Sequence, residues 1–143
     1  MKKKWLYLLI MMVLVLSLAA CSGNDAQEPE DDKPIDLTGE WKQMNNNSED
    51  NYQRAIIQDG QIEIYWVTES DDSESLYWAG TYVAPEIAEE PYTWDSVNDK
   101  EKTDSAMLAS GDETKTFTYE NGQLSYSVSA MGNTQTVRLE KQE

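Results

Sequence analysis

The sequence predicts an all-β domain, either a small antiparallel up-and-down barrel or a β-sandwich. Three observations carry this. Apolar residues recur at every second position, and no helical period runs through the chain. Asp59-Gly60, Asn121-Gly122 and Gly132-Asn133 sit between apolar runs as hairpin signals. Val, Ile, Tyr, Trp and Thr, which favour pleated, half-buried surfaces, fill the segments between them.

The elements follow in chain order. Trp41–Asn45 reads as a first strand after Thr38-Gly39, and Ala55-Ile56-Ile57-Gln58 leads into the Asp59-Gly60 turn. Ile62, Ile64 and Trp66 alternate with Gln61, Glu63 and Tyr65. Leu76, Trp78, Gly80 and Tyr82 alternate in the next run. A short helical turn is expected around Pro85–Glu90. Tyr92–Val97 and Ser105–Ala109 are further strand candidates. Phe117 and Tyr119 lead into Asn121-Gly122, Leu124, Tyr126, Val128 and Ala130 alternate after it, and Val137 and Leu139 share a face of the last strand. Sequential hairpins of this kind favour a meander, and closing it removes exposed strand edges.

Ahead of this domain, Lys2, Lys3 and Lys4 precede an apolar run of twelve residues, Trp5–Leu16, and then Ser17-Leu18-Ala19-Ala20-Cys21. A basic start, a short apolar stretch and small residues mark a secretory signal over residues 1–20. The run is short for a spanning helix, which needs roughly 20 residues. Leu18-Ala19-Ala20-Cys21 resembles the lipobox of bacterial lipoproteins. That resemblance implies cleavage before Cys21, a diacylglyceryl group on its thiol, and a chain held at the extracytoplasmic face of the cell membrane. Residues 21–34 carry five acids, one Lys and two Pro, and read as a flexible acidic linker. Residues 35–143 make one domain.

The three Lys of residues 1–20 aside, eight basic side chains face 27 acidic ones, a net charge near −19. Phosphate recognition needs basic patches, so nucleic acid is not an expected partner. There is no His, and the single Cys stands at the expected lipidation point. Ser-His and Cys-His pairs and the usual zinc sites are therefore absent, and no Gly-rich phosphate loop occurs. Among 27 acids a hydrolytic carboxylate pair is conceivable. The acids, however, fall in loops and at outward alternate positions, so no catalytic residue, cofactor or metal is assigned. Two acidic loops, Glu69–Glu74 and Asp95–Asp104, have oxygens to offer calcium but lack EF-hand spacing. The domain is expected to fold without that ion.

Leu37-Thr38-Gly39-Glu40-Trp41 resembles the Gly-x-Trp that opens the first strand of lipocalins, avidins and related calycins. The resemblance implies a closed barrel with Gly39 and Trp41 at one end and Arg138 of the last strand packed on the Trp41 indole. The phrases Ile62–Trp66, Leu76–Thr81 and Lys115–Tyr119 resemble small uncharacterised lipoproteins of Gram-positive bacteria, which carry no assigned activity. Two non-catalytic expectations follow. In the first, Trp66, Trp78, Tyr82 and Tyr126, on the apolar face of their alternations, line a site for a small apolar ligand. In the second, Tyr65, Tyr77 and Trp94 face outward and contact a protein partner, as in an exclusion or immunity factor at the cell surface.

Overall fold

The computed structural model describes residues 33–143. The signal, Cys21 and nearly all of the linker lie outside the described residues. Eight strands run β1 (Gly39–Gln43), β2 (Asn51–Gln58), β3 (Gln61–Thr68), β4 (Ser73–Thr81), β5 (Tyr92–Val97), β6 (Thr114–Glu120), β7 (Gln123–Ala130) and β8 (Asn133–Lys141). They form one sheet in the order β4-β3-β2-β1-β8-β7-β6-β5, with every neighbouring pair antiparallel. The sheet curls into a nearly closed barrel, the first of the two forms expected. The only α-helical turn among the described residues is α1 (Lys100–Thr103), started by Asp99, whose side chain accepts the Glu101 N–H. No described helix is long and apolar enough to cross a membrane. Residues 85–90 form bends and Ser105–Ala109 a turn, not the helix and strand expected there.

The three tight hairpins turn at Asp59-Gly60, Asn121-Gly122 and Met131-Gly132, with positive φ at both central residues of each. That backbone matches the twist of the flanking strands. The third turn sits one residue earlier than Gly132-Asn133, so Met131 takes the left-handed position at the tip.

First and last strands are hydrogen-bonded, with Trp41 opposite Lys141 and Gln43 opposite Leu139. The seam lies instead between β4 and β5, where the connection is long and carries Pro85 and Pro91. A single bridge, Gly80 to Asn98, spans it. Around that bridge the loop after β5 completes the β4 edge. Asp99 N–H donates to the Ala79 carbonyl (2.8 Å) and Ser110 N–H to the Tyr77 carbonyl (2.8 Å). Inside, the Trp78 indole N–H donates to Ser96 Oγ at 3.0 Å.

The interior is filled by large side chains. Trp41, Trp78, Phe117, Ile57, Ile62, Ile64, Leu124 and Leu139 are fully buried. Trp94 stacks on Phe117 (centroids 5.1 Å) and meets Tyr82 edge-on (5.2 Å). Ile35 and Leu37 close the end where the chain enters. The Leu37 carbonyl accepts the Trp41 indole N–H at 2.9 Å.

The expected Trp41–Arg138 contact is not formed. Val137 and Leu139 point inward, so Arg138 between them points out, while Trp41 is 1% exposed and meets Tyr119 edge-on at 6.1 Å. Strand parity puts the two residues on opposite faces of the sheet. The cation beside Trp41 in register is Lys141, whose Nζ donates to the Asp36 carbonyl at 3.0 Å. Its stem crosses Gly39, whose φ of +121° and missing side chain admit it. A Cβ there would stand 3.2 Å from Lys141 Cε.

Gly80 is the tightest point of the seam. A Cβ on it would lie 2.4 Å from Ser96 Oγ, 2.6 Å from the Val97 carbonyl and 2.8 Å from the Trp78 indole nitrogen. Gly80→Ala is therefore expected to force the seam apart and cost about 2–3 kcal/mol. In thermal unfolding the melting temperature should drop by roughly 10 °C. An unchanged melting temperature would show that the seam is not rigid at this point.

Candidate functional site

The topology gives the barrel two ends of different character. The chain enters at one, through Lys33–Thr38, and the β4–β5 connection lies there too. At the other, distal end lie the connections β1–β2, β3–β4 and β7–β8, while the β5–β6 connection runs along the edge of β4. Of the eight exposed large apolar side chains, Met44, Trp66 and Met131 belong to the distal end, Val83 and Ile87 to the entry end, and Val97, Met107 and Leu108 to the β4–β5 seam and the loop that follows it. Met131 stands fully exposed on the β7–β8 tip.

Trp66 anchors the distal rim. It pairs with Gln53 across β2–β3, on the inner face with Ile62 and Ile64. At the barrel mouth that face meets solvent, so Trp66 is 39% exposed and not core as expected. Tyr77, expected outside, is buried. The β3–β4 register steps from Ile64 opposite Trp78 to Tyr65 opposite Leu76, and Tyr77 is the extra residue. The bulge breaks the period and turns its ring inward, edge-on to Trp66 at 5.5 Å. Trp94, also expected outside, is buried on the inner face of β5 between Tyr92 and Ser96. A buried Ser at the third inward position hides that alternation in the sequence. Trp78, Tyr82 and Tyr126 are buried as their alternations predict, but as filling of the core. Tyr65 keeps its expected outward place, under the Arg54 guanidinium at 5.7 Å.

Beneath the rim lies a polar layer that sequence reasoning missed. Gln53 is fully buried; its side-chain oxygen accepts from the Tyr126 hydroxyl, and its amide nitrogen has no partner. Burial pushes the Tyr126 phenol well above its ordinary value, with the nearby Tyr77 adding to it. Lys115 is 6% exposed. Its Nζ sits over the Tyr77 and Trp78 rings (5.2 and 5.3 Å) and within 3.3 Å of both Asp112 and the Ser127 carbonyl. The signal was present: Lys115 alternates with Phe117 and Tyr119, so its parity is inward. A cation held between two rings and a carboxylate fastens β4, β6 and β7 together.

On the outer wall a shallow crevice is lined by Ile56, Gln58, Gln61, Glu63 and Lys102. Lys102 Nζ donates to Glu63 at 2.5 Å and to Gln61 at 2.9 Å. The Tyr65 hydroxyl donates to the other Glu63 oxygen at 2.5 Å. Lys102 first, and Tyr65 second, hold the Glu63 carboxyl below its usual range. Burial, then the bond to Glu63, push the Tyr65 phenol up to about 12. The acidic loops are used locally. Asp50 accepts the backbone and hydroxyl of Ser70, both at 2.7 Å. Asp99 caps α1. Among the described residues no three acidic side chains converge as metal ligands do.

Comparison with protein-family models, with curated proteins and with solved structures finds no match to the chain.

Two expectations follow from this geometry. Gln53→Leu strands the Tyr126 hydroxyl and Tyr126→Phe strands the Gln53 amide, so each should cost about 1–3 kcal/mol. The double variant should cost clearly less than their sum, because no polar group is left without its partner. Additive losses in a denaturant double-mutant cycle would show that the two do not act as a pair. For Glu63, the depressed value means stability present above its ordinary 4.5 and lost as pH falls through the folded value. Lys102→Met should move the Glu63 titration up towards 4.5 in carboxyl-detected NMR. A titration that stays in place would assign the shift to Tyr65.

Proposed function

We propose that the chain is a lipid-anchored extracytoplasmic protein whose barrel is a non-catalytic binding module, recognising a protein partner with its distal rim. One observation carries the reading: Met44, Trp66 and the fully exposed Met131 stand at the end opposite the chain's entry. Trp and Met suit this use, the one giving a large face with a polar edge, the other an adaptable apolar arm. Trp78, Tyr82 and Tyr126 pack against core neighbours inside, which favours a surface site over an enclosed apolar ligand. The acidic charge of the walls limits indiscriminate sticking and leaves an apolar rim as the selective contact.

The test uses the whole chain in its host membrane. A photoreactive residue at Met44 or Trp66 should give a discrete protein adduct, and one at Ile87 should give none. Equal labelling at both ends, or none anywhere, would overturn the rim as the recognition surface. Anchoring is checked separately: Cys21→Ala should shift the protein out of the membrane fraction. An unmodified Cys21 in the intact mass of the mature chain would end the lipoprotein reading.

A further inference from the structure

We infer that the chain pairs with a second copy of itself through the free edge of β7. β8 accompanies β7 along all eight of its residues, whereas β6 pairs only with Gln123, Leu124 and Ser125. Beyond Ser125 the two strands part. From Tyr126 to Ala130 the β6-facing edge of β7 carries a single hydrogen bond, from Lys115 Nζ to the Ser127 carbonyl (3.3 Å). That oxygen keeps a second lone pair. Ser127, Ser129 and Ala130 are exposed, as is every residue from Met131 to Thr136. Tyr126 and Val128 still pack on the core, and the hairpin tip from Ser129 to Thr134 stands off the barrel. The opposite edge of this hairpin is closed at its base. Asn45 donates to the Thr136 carbonyl (2.7 Å) and accepts from the Arg138 N–H (3.0 Å), and Met44 N–H donates to the Arg138 carbonyl (2.9 Å).

Charge selects the occupant. Asn121–Val137 contains no Asp, Glu, Lys or Arg, the longest such run between residues 35 and 143. Edge strands that must stay unpaired are normally blunted by charge, proline or a bulge; no residue of β7 supplies any of these, and Lys115 touches the edge only at the Ser127 carbonyl. A strand pairing antiparallel with its own copy meets its own residue types, so an acidic strand would repel itself. Here serines face serines on one side, and Val128 and Ala130 share the other. A charged partner segment would find no complementary charge on this edge. The barrels themselves are acidic. Residues 35–143 carry 22 acids against seven bases. Five paired residues a side make a small interface, well below about 1,000 Å² in total, and therefore a weak one. Confinement to a membrane would raise its occupancy by effective concentration. The inference turns on the β7 edge and not on the apolar rim, and it holds or fails whatever else the rim binds.

The experiment is sedimentation of the whole chain in detergent over a concentration series up to roughly 100 μM, where an interface of this size becomes visible. A monomer–dimer equilibrium is expected, strengthened several-fold by added salt as the bodies are screened. Ser129→Lys should weaken it at least tenfold at unchanged melting temperature, and Ser129→Thr should leave it intact. In the unaltered chain, amide exchange at residues 127–130 should slow as concentration rises, while the Ile62–Ile64 amides stay the same. A monomer throughout the series overturns the inference. So does a dimer indifferent to Ser129→Lys, or exchange at residues 127–130 that ignores concentration.

Discussion

The Trp78 indole, hydrogen-bonded to Ser96 across the β4–β5 seam, is the contact on which the closed barrel depends. Everywhere else around the barrel a ladder of backbone bonds joins the strands. At this seam there is one bridge, and the backbone of the following loop and side chains do the rest. The bond can form because Gly80 removes the bulk that would hold the strands apart, and because Ser96 offers a short hydroxyl where a longer side chain would collide. An indole N–H buried without a partner would cost on the order of 1–3 kcal/mol. The closed arrangement is therefore the one in which the largest core side chain has its polar atom satisfied. The loop through Asp99 and Ser110 then covers the β4 edge, and Lys115 ties the upper halves of β4, β6 and β7 over the same place.

Lacking disulfides, the domain draws its stability from aromatic filling, and that filling decides what the barrel offers a partner. Trp41, Trp78, Trp94, Phe117, Tyr82 and Tyr126 occupy an eight-stranded interior, which is only just wide enough for side chains of this size. Recognition is left to the surface. Most of that surface carries carboxylates, several of them already committed to caps and turns. Apolar groups therefore stand out by position more than by number. Met44, Trp66 and Met131 project at the end of the barrel opposite the one the chain enters.

Much of the fold was legible in the sequence because a strand's two faces alternate with a period of two, and two of the three hairpins announce themselves by residue type, the third one residue out of place. β1–β3, β7 and β8 follow directly from that rule. The failures have physical causes. Tyr77 turns inward because a β-bulge inserts one residue, and no local pattern distinguishes a bulged Tyr from an outward one. Trp94 was masked by Ser96, a polar residue buried for the sake of the Trp78 indole 18 positions away. Trp66 has the inward parity expected of it, but parity says nothing of height along the barrel, and at the mouth the inner face is wet. The resemblance to calycins gave the closure of β1 on β8 and placed the end cation on the wrong residue. Arg138 has outward parity, while Lys141 has the inward parity and stands opposite Trp41.

The polar layer under the rim was the least legible part, since nothing local marks Gln53 or Lys115 as interior. Both lie on inward positions, and inward parity near a strand end is compatible with core, rim or solvent. What distinguishes them is the company the fold brings. Tyr126 reaches Gln53 across 73 residues, and Trp78 and Ser127 reach Lys115 from two other strands. An apolar layer in their place would seal the barrel but would not hold β6 and β7 at the angle where they separate. Lys115, with its charge between two rings and its ammonium on the Ser127 carbonyl, occupies the position a ladder bond would otherwise take. The split between β6 and β7 is thus held open by a specific side chain. The free, uncharged edge of β7 beyond it is a consequence of that placement, and so is its freedom to pair.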